Sequence, residues 1–201
     1  MEIVGINSEN IKKISDHKKE AEWIRQYRLD SYKFFNELPM PEFGPRYDLD
    51  FNKIIYYKSN DNDMKSDWNK IDKNIKNEFD DLGVIKGECN LDGIGVQYES
   101  EVIYHNMIEE AKEKNVIFTS IEVAMKEYPE LVKKYFGKIV KNNENKFAAL
   151  NSSVFSGGSF IYIPPNTTLD RPLHSYFRIN SKGMGQFERT LIIVDDNSSV
   201  H

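Results

Sequence analysis

The stretch NKFAALNSSVFSGGSFIYIPPNTTLDRPLHSYFRIN, residues 145–180, decides the fold because the hydrophobic period changes within it. Before Phe147 apolar residues recur every three or four positions, whereas from Phe147 onward they recur every two. The odd positions from Leu173 to Ile179 share one face of a predicted strand, and the even positions share the other. The sequence therefore predicts an α+β protein, with a mainly helical region at 1–145 and a β region at 146–201.

Turn-forming segments divide the β region into strands of similar spacing. The predicted strand centres lie near residues 161, 176, 190 and 200, which suits a sandwich, a meander or a β-solenoid. The last predicted strand opens at Ser199, so we expect the chain to stop just as a new strand begins. A strand edge left uncovered in this way predicts self-association.

The front region carries several helix signals. In the segment TSIE, Thr119 would cap a helix and Glu122, three residues later, would complete a capping box. The other predicted helices are one capped by Asn7 or Ser8, one over residues 19–38, one over Trp68–Leu82 and one from Pro129 to Gly137.

Composition narrows the class of protein. The net charge is −5 and the pI is near 5.5, so no basic footprint for nucleic acid is present. The longest apolar stretches are too short to cross a bilayer. The start, MEIVGINSEN, lacks the features of a secretory leader, and a single cysteine excludes an internal disulfide framework. These features point to the cytoplasm, or to a protein whose leader was removed.

The chemical motifs are weak. The one acid–base constellation is Glu99, Glu101 and His105, which would share a face if the segment is extended, although a surface ionic network explains it more simply. Asp61 and Asp63 resemble the start of a calcium loop, but the later ligand positions do not follow. We also reject a metal site built from the histidines, because they are widely separated along the chain: His17, His105, His174 and His201. We reject a phosphate-binding loop at Gly157–Gly158 and at Gly183–Gly185, because both segments lead into strands. No catalytic, cofactor-binding or metal-binding residue is therefore assigned.

Several segments together resemble the SufB family, the scaffold subunits of the Suf iron–sulfur cluster assembly system. The resemblance covers nearly the whole chain and is most specific after residue 144. The matching segments are KKEAEWIRQYRLDSYKFFNELPMPEF (18–43), GVQYESEVIYHN (95–106), NVIFTSIEVAMKEYPELVKKYFG (115–137), the opening stretch (145–180) and MGQFERTLIIVDDNSSVH (184–201).

The resemblance implies that the β region forms the first coils of a β-helix behind a helical N-terminal region. It also implies a non-enzymatic scaffold that associates with the SufC ATPase and with SufD, receives sulfur from a cysteine desulfurase system and assembles iron–sulfur clusters. The sulfur-accepting and cluster-binding residues of such scaffolds lie mainly beyond His201. Cys89 lies outside the matched segments, and we expect it to be a spectator thiol, so no cofactor is expected in this part of the protein.

Two other interpretations stay open at this point. The chain could be a self-contained binding module that docks a partner protein through the face bearing Tyr176 and Arg178. It could also be an enzyme that uses Glu99, Glu101 and His105.

Overall fold

The computed structural model describes residues 1–45, 48–59, 64–65, 67–81 and 91–201. Helices and strands alternate along most of this length. The seven α-helices described are α1 (Ser8–His17), α2 (Glu22–Glu37), α3 (Lys73–Asp81), α4 (Glu109–Glu113), α5 (Ile121–Glu127), α6 (Pro129–Tyr135) and α7 (Lys146–Val154). The eight strands are β1 (Glu2–Val4), β2 (Ile55–Lys58), β3 (Gly93–Tyr98), β4 (Glu101–Met107), β5 (Ile117–Ser120), β6 (Ser159–Ile163), β7 (Leu173–Arg178) and β8 (Leu191–Val194).

The predicted α+β class is confirmed, but the change at residue 146 does not separate helices from strands. Five strands lie before it, and α7 occupies the positions from Lys146 to Val154 that were expected to open the β region. Asn145 caps α7, since its side chain accepts hydrogen bonds from the backbone of Phe147 (3.0 Å) and Ala148 (2.9 Å). This local cap explains why a helix forms where the apolar pattern alone indicated a strand.

Within the part of the chain that the structure describes, the strands form three small sheets. Strands β1 and β2 pair antiparallel, while the other two sheets have the orders β4–β3–β7 and β5–β6–β8. In each three-stranded sheet one pair is antiparallel and one is parallel: β7 runs parallel to β3, and β8 runs parallel to β6. The sheet β4–β3–β7 therefore joins two strands from before residue 146 to one strand from after it.

The parallel pairing of β6 and β8 continues beyond the strands. Phe160 lies beside Leu191, and Thr168 bridges to Ser199 farther along. The same offset of 31 positions joins the backbone of Thr167 to the hydroxyl of Ser198. The segment after Gly158 and the segment after Arg189 thus follow the same path, one beside the other.

Four hydrophobic clusters among the described residues hold these elements together. The first packs α1, α2 and α7 against β1 and β2, and the second packs α3 against β3 and β4. The third places α5 and α6 on the outer face of β6 and β8, and the fourth lies between α4, β6 and β7. Helix α2 has a buried position in two of these clusters, since Phe35 belongs to the first and Ile24 to the third.

The start of α5 differs from the predicted capping box. Thr119 belongs to β5, and the N-cap is Ser120, whose side chain accepts a hydrogen bond from the backbone of Val123 at 3.2 Å. Glu122 does not close a box, because its carboxylate is engaged by two other groups described below. Other helix boundaries agree with prediction: Asn7 caps α1, Pro129 begins α6, and Gly137 follows its end at φ +68°.

Candidate functional site

A buried group of polar residues lies where the helical elements meet the two larger sheets. We call it the Lys18 hub and define it as Lys18, Tyr57, Glu101, Glu122 and Gly157. The Lys18 ammonium lies 3.0 Å from the Glu122 carboxylate and 3.4 Å from that of Glu101. Its side chain is 5% exposed, and those of Glu101 and Glu122 are 25% and 18% exposed, so the ion pairs are partly shielded from water.

Different elements supply the members of the Lys18 hub. Lys18 ends α1, Tyr57 lies in β2, Glu101 begins β4 and Glu122 lies in the first turn of α5. The phenol of Tyr57 donates to Glu101, and the ammonium of Lys18 lies 5.3 Å from the centre of the Tyr57 ring. One lysine therefore ties together a helix, two sheets and a second helix.

A glycine pair completes the Lys18 hub. The backbone N–H of Gly157 donates to Glu122 at 2.6 Å, and that of Gly158 donates to the side chain of Gln97 at 2.9 Å. Both residues have positive φ, +73° and +104°, and a Cβ at either would collide with the side chain of Gln97 or the backbone of Arg189. The N–H groups of both glycines are therefore engaged by side chains of the same chain.

The charges of the Lys18 hub stabilise one another. Burial alone would lower the pKa of Lys18, but the Coulombic attraction of Glu122 and Glu101 outweighs it and raises that pKa. Burial alone would raise the pKa of Glu122, but Lys18 and the N–H of Gly157 lower it. Lys18 and Glu122 are therefore both ionised at neutral pH, as a structural ion pair requires.

The proposed acid–base trio is not brought together. Glu99 has φ +55°, its Oε1 accepts from the hydroxyl of Ser181 at 2.7 Å, and Glu101 belongs to the Lys18 hub. The ring of His105 packs edge-on against Phe118, with centroids 4.6 Å apart. The three side chains point to different partners, because the turn at Glu99 and a register shift in the β3–β4 pairing break the alternation that a single face needs.

His105 and Glu99 each carry a buried atom without a hydrogen-bond partner among the described residues, Nε2 of the histidine and Oε2 of the glutamate. Burial, with a smaller contribution from Lys112, lowers the pKa of His105 from 6.5 to about 4. His105 lines a cavity of about 10 Å³, which holds at most one water molecule. This space is too small for a substrate.

The face proposed for partner docking makes two contacts within the chain. Tyr176 packs against the cluster formed around α3, and the guanidinium of Arg178 lies 3.3 Å from the carboxylate of Glu78. The side chain of Arg178 is nevertheless 41% exposed, and His174 on the same face is exposed as well. Docking of a partner through this face therefore stays a prediction.

The remaining sequence candidates are placed as follows. Asp61, Asp63 and Cys89 lie outside the described residues. Within the residues that the structure describes, no group of three or more His, Cys, Asp or Glu side chains is arranged to hold a metal ion. Over the same residues, no helix has both the length and the apolar character needed to cross a membrane.

Sequence reasoning missed the Lys18 hub. Its members are spread from residue 18 to residue 157, and no spacing along the chain links them. Two of its features were singled out in the sequence for other reasons: the glycine pair at 157–158 was assigned to a turn, and Glu122 was assigned to a helix cap. A glutamate near a helix start and a glycine pair before a strand each have common local explanations.

Comparison with known proteins identifies the class of this architecture. Residues 8–174 match the family model described as the SufBD protein N-terminal region. A Staphylococcus aureus (strain USA300) protein named an iron-sulfur cluster assembly SufBD family protein is 49% identical over 199 residues, which are 98% of this chain and 43% of the relative. A protein of the same description from Staphylococcus saprophyticus is 48% identical over 199 residues, with the same coverage of both chains.

The chain belongs to the SufBD family of iron–sulfur cluster assembly proteins. It spans less than half the length of the curated relatives it matches. The predicted resemblance to this family is confirmed at that level, which includes both SufB and SufD.

Proposed function

We propose that this chain is the N-terminal part of a SufB-type scaffold that acts in the cytoplasm with the SufC ATPase and SufD. The observation that carries the proposal is the match of residues 8–174 to the SufBD N-terminal region. In this role the iron–sulfur cluster is cargo: sulfur comes from a cysteine desulfurase system, and the cluster is passed to other proteins. The part described here supplies a folded support and performs no catalytic step itself.

We further propose that β6 to β8 are the first coils of a β-helix that continues in the longer protein. The parallel pairs at an offset of 31 positions support this, because successive coils of a solenoid stack in this way. The backbone N–H of Leu173 also donates to the carbonyl of His201 at 2.7 Å. Residues that follow His201 would then lie along β7, as β8 lies along β6.

Hydrogen exchange tests the β-helix proposal. The amides of β7 are expected to exchange slowly in the full-length protein and faster in residues 1–201, because the next coil would pair with this edge. The amides of β3, already paired on both sides, serve as the internal control. Equal exchange of β7 in the two chains would contradict the proposal.

Anaerobic reconstitution tests where the cluster is built. Residues 1–201 and the full-length protein are each mixed with ferrous iron, sulfide and a reductant, and the visible absorption spectrum is recorded. We expect stoichiometric cluster absorption only in the full-length protein. A stoichiometric cluster on residues 1–201 that is lost in Cys89→Ser would place the ligands in this part and overturn the proposal.

Association with the proposed partners is tested separately. The full-length protein is co-expressed with SufC and SufD of the same organism and purified through a tag on SufC. Recovery of all three proteins in constant ratio is expected, and recovery of SufC with SufD alone would contradict the assignment.

A further inference from the structure

A groove of about 420 Å³ opens beside the Lys18 hub, between the start of α2 and the helices α5 and α6. We call it the Trp23 groove and define it by Lys19, Trp23, Met125, Lys126 and Pro129. Its volume is in the range of sites that bind a small molecule or a few residues of a peptide. Its wall is partly apolar: Trp23, Met125 and Pro129 line it, Met125 is 4% exposed, and the ammonium of Lys133 lies 5.8 Å from the centre of the Trp23 ring.

The acidic side chains of the Trp23 groove have ion-pair partners, whereas two lysines on its rim have none within the described part of the chain. Its two carboxylates are already engaged: Glu20 accepts from the guanidinium of Arg28 at 2.5 and 2.7 Å, and Glu122 belongs to the Lys18 hub. Lys19 and Lys126 are exposed at the rim, and neither has an ion-pair partner among the described residues. The rim therefore has a positive potential on a chain whose net charge is −5.

The backbone holds Lys19 in this position. Lys19 has φ +52°, a left-handed conformation that residues other than glycine and asparagine rarely adopt. Its N–H donates to the carbonyl of Asp16 at 3.1 Å and so closes the end of α1. The side chain therefore leaves a fixed turn, which lowers the entropy that a contact with it would cost.

We propose that the Trp23 groove docks an acidic segment of a partner protein. A large apolar side chain of that segment packs on Trp23, Met125 and Pro129, and flanking carboxylates lie near Lys19 and Lys126. Charge complementarity favours this occupant, because a basic segment would face two unpaired lysines while the carboxylates nearby are already neutralised. This docking surface does not depend on the role of the longer protein in cluster assembly.

Fluorescence anisotropy tests the proposal. The probe is a short fluorescein-labelled peptide with glutamates and aspartates on both sides of a Leu–Phe pair, and the control peptide has lysines in place of the acids. We expect saturable binding of the acidic peptide alone, weakening as salt is added. The double variant Lys19→Glu and Lys126→Glu should lower the affinity about tenfold or more, because two attractions become repulsions.

A matched double variant distinguishes binding in the Trp23 groove from a general effect of the net charge. Lys12→Glu with Lys141→Glu makes the same charge change at exposed positions outside the groove, and its affinity should stay within about twofold of the natural chain. Trp23→Ala should weaken binding without reducing its dependence on salt. An equal loss in both double variants would show a general charge effect and overturn the proposal.

Two further results would also overturn it. Binding of the lysine peptide with similar affinity would exclude charge recognition. Displacement of the acidic peptide by low millimolar inorganic phosphate, at constant ionic strength, would show a site for small anions and not for a peptide.

Discussion

At the scale of single residues, the chain depends on charges that it has buried in pairs. Lys18 with Glu122 is one such pair, and Arg28 with Glu20 is another, in which both side chains are at most 4% exposed. Buried pairs contribute less than their Coulombic attraction suggests, because both charges lose hydration. Removing one partner is costly, since the other charge is then buried alone.

Replacement of Lys18 by Met keeps most of the volume and removes the charge. We expect the free energy of unfolding to fall by about 3–5 kcal/mol at pH 7, because Glu122 and Glu101 lose their shared cation. Urea unfolding followed by circular dichroism measures it. The control is Lys13→Met, which breaks an exposed pair with Glu9 and should change stability little. Equal losses of unfolding free energy in the two variants would mean that the Lys18 hub contributes no more to stability than an exposed ion pair does.

His105 gives the fold a specific pH dependence. Its pKa is about 4 in the folded chain and near 6.5 when unfolded, so below pH 6.5 the unfolded chain binds a proton that the folded chain does not. The free energy of unfolding should therefore fall by about 1–3 kcal/mol as the pH falls from 7 toward 4. In His105→Leu this contribution disappears.

Urea unfolding between pH 7 and pH 5 checks that prediction. This window lies above the range in which the lowered pKa of Glu122 would matter, because stability from that carboxylate is lost only as the pH falls below about 4.5. Identical pH slopes for the natural chain and His105→Leu would contradict the assignment.

At the scale of elements, the sequence predicted those whose signals are local. Helices with a three-to-four-residue apolar spacing were found, and so were the strands around Phe160, Tyr176 and Ile192. Helix α7 was missed because its amphipathic pattern is weak, and its buried face includes Ser152 and Ser153 as well as Leu150. The start of α5 lies one residue later than predicted, because Thr119 pairs with Phe160 in the β5–β6 ladder and Ser120 is the N-cap.

Replacing Asn145, the N-cap of α7, measures how much this cap contributes to stability. Asn145→Ala should lower the free energy of unfolding by about 1 kcal/mol, because two N–H groups lose their acceptor. Asn145→Asp keeps an acceptor at the same place and should remain close to the natural chain. Thermal unfolding of the three proteins measures the difference, and an Asp variant as unstable as the Ala variant would show that the amide group has another role.

At the scale of the whole molecule, the pairing of distant segments could not be predicted from periodicity. A strand pattern does not indicate which other strand it pairs with. The pairing of β3 with β7 and the pairing of β6 with β8 could therefore not be predicted from the sequence pattern. The candidate site was hidden for a related reason, since Lys18 and Gly157 are distant along the chain and both contact Glu122 only in the folded protein. Turn spacing left a sandwich, a meander and a β-solenoid open, the family resemblance favoured the solenoid, and the β-helix stays a prediction.

The outer edge of β8 predicts how the chain behaves in solution. Ile192 is 56% exposed and Val194 is 44% exposed, and no strand pairs with this edge among the described residues. We expect residues 1–201 to self-associate at high concentration, measured by light scattering, because an uncovered apolar edge is a template for another strand. The double variant Ile192→Lys and Val194→Lys should be monomeric.

The control for this prediction is Ile139→Lys. Ile139 is 90% exposed but lies outside the strands, so its replacement should leave association unchanged. A natural chain that stays monomeric at every concentration would contradict the prediction.

The packing of α7 against α2 also has a consequence for how the protein is made. Lys146 donates to the carbonyl of Phe35, at a separation of 111 residues, and Leu150 and Val154 complete the cluster that buries Ile11. At ribosomal rates of about 5–20 residues per second, the first helices leave the ribosome roughly 5–20 s before α7 can cover them. Their apolar faces are open during that interval, so nascent chains should be clients of the chaperones that bind near the ribosomal exit.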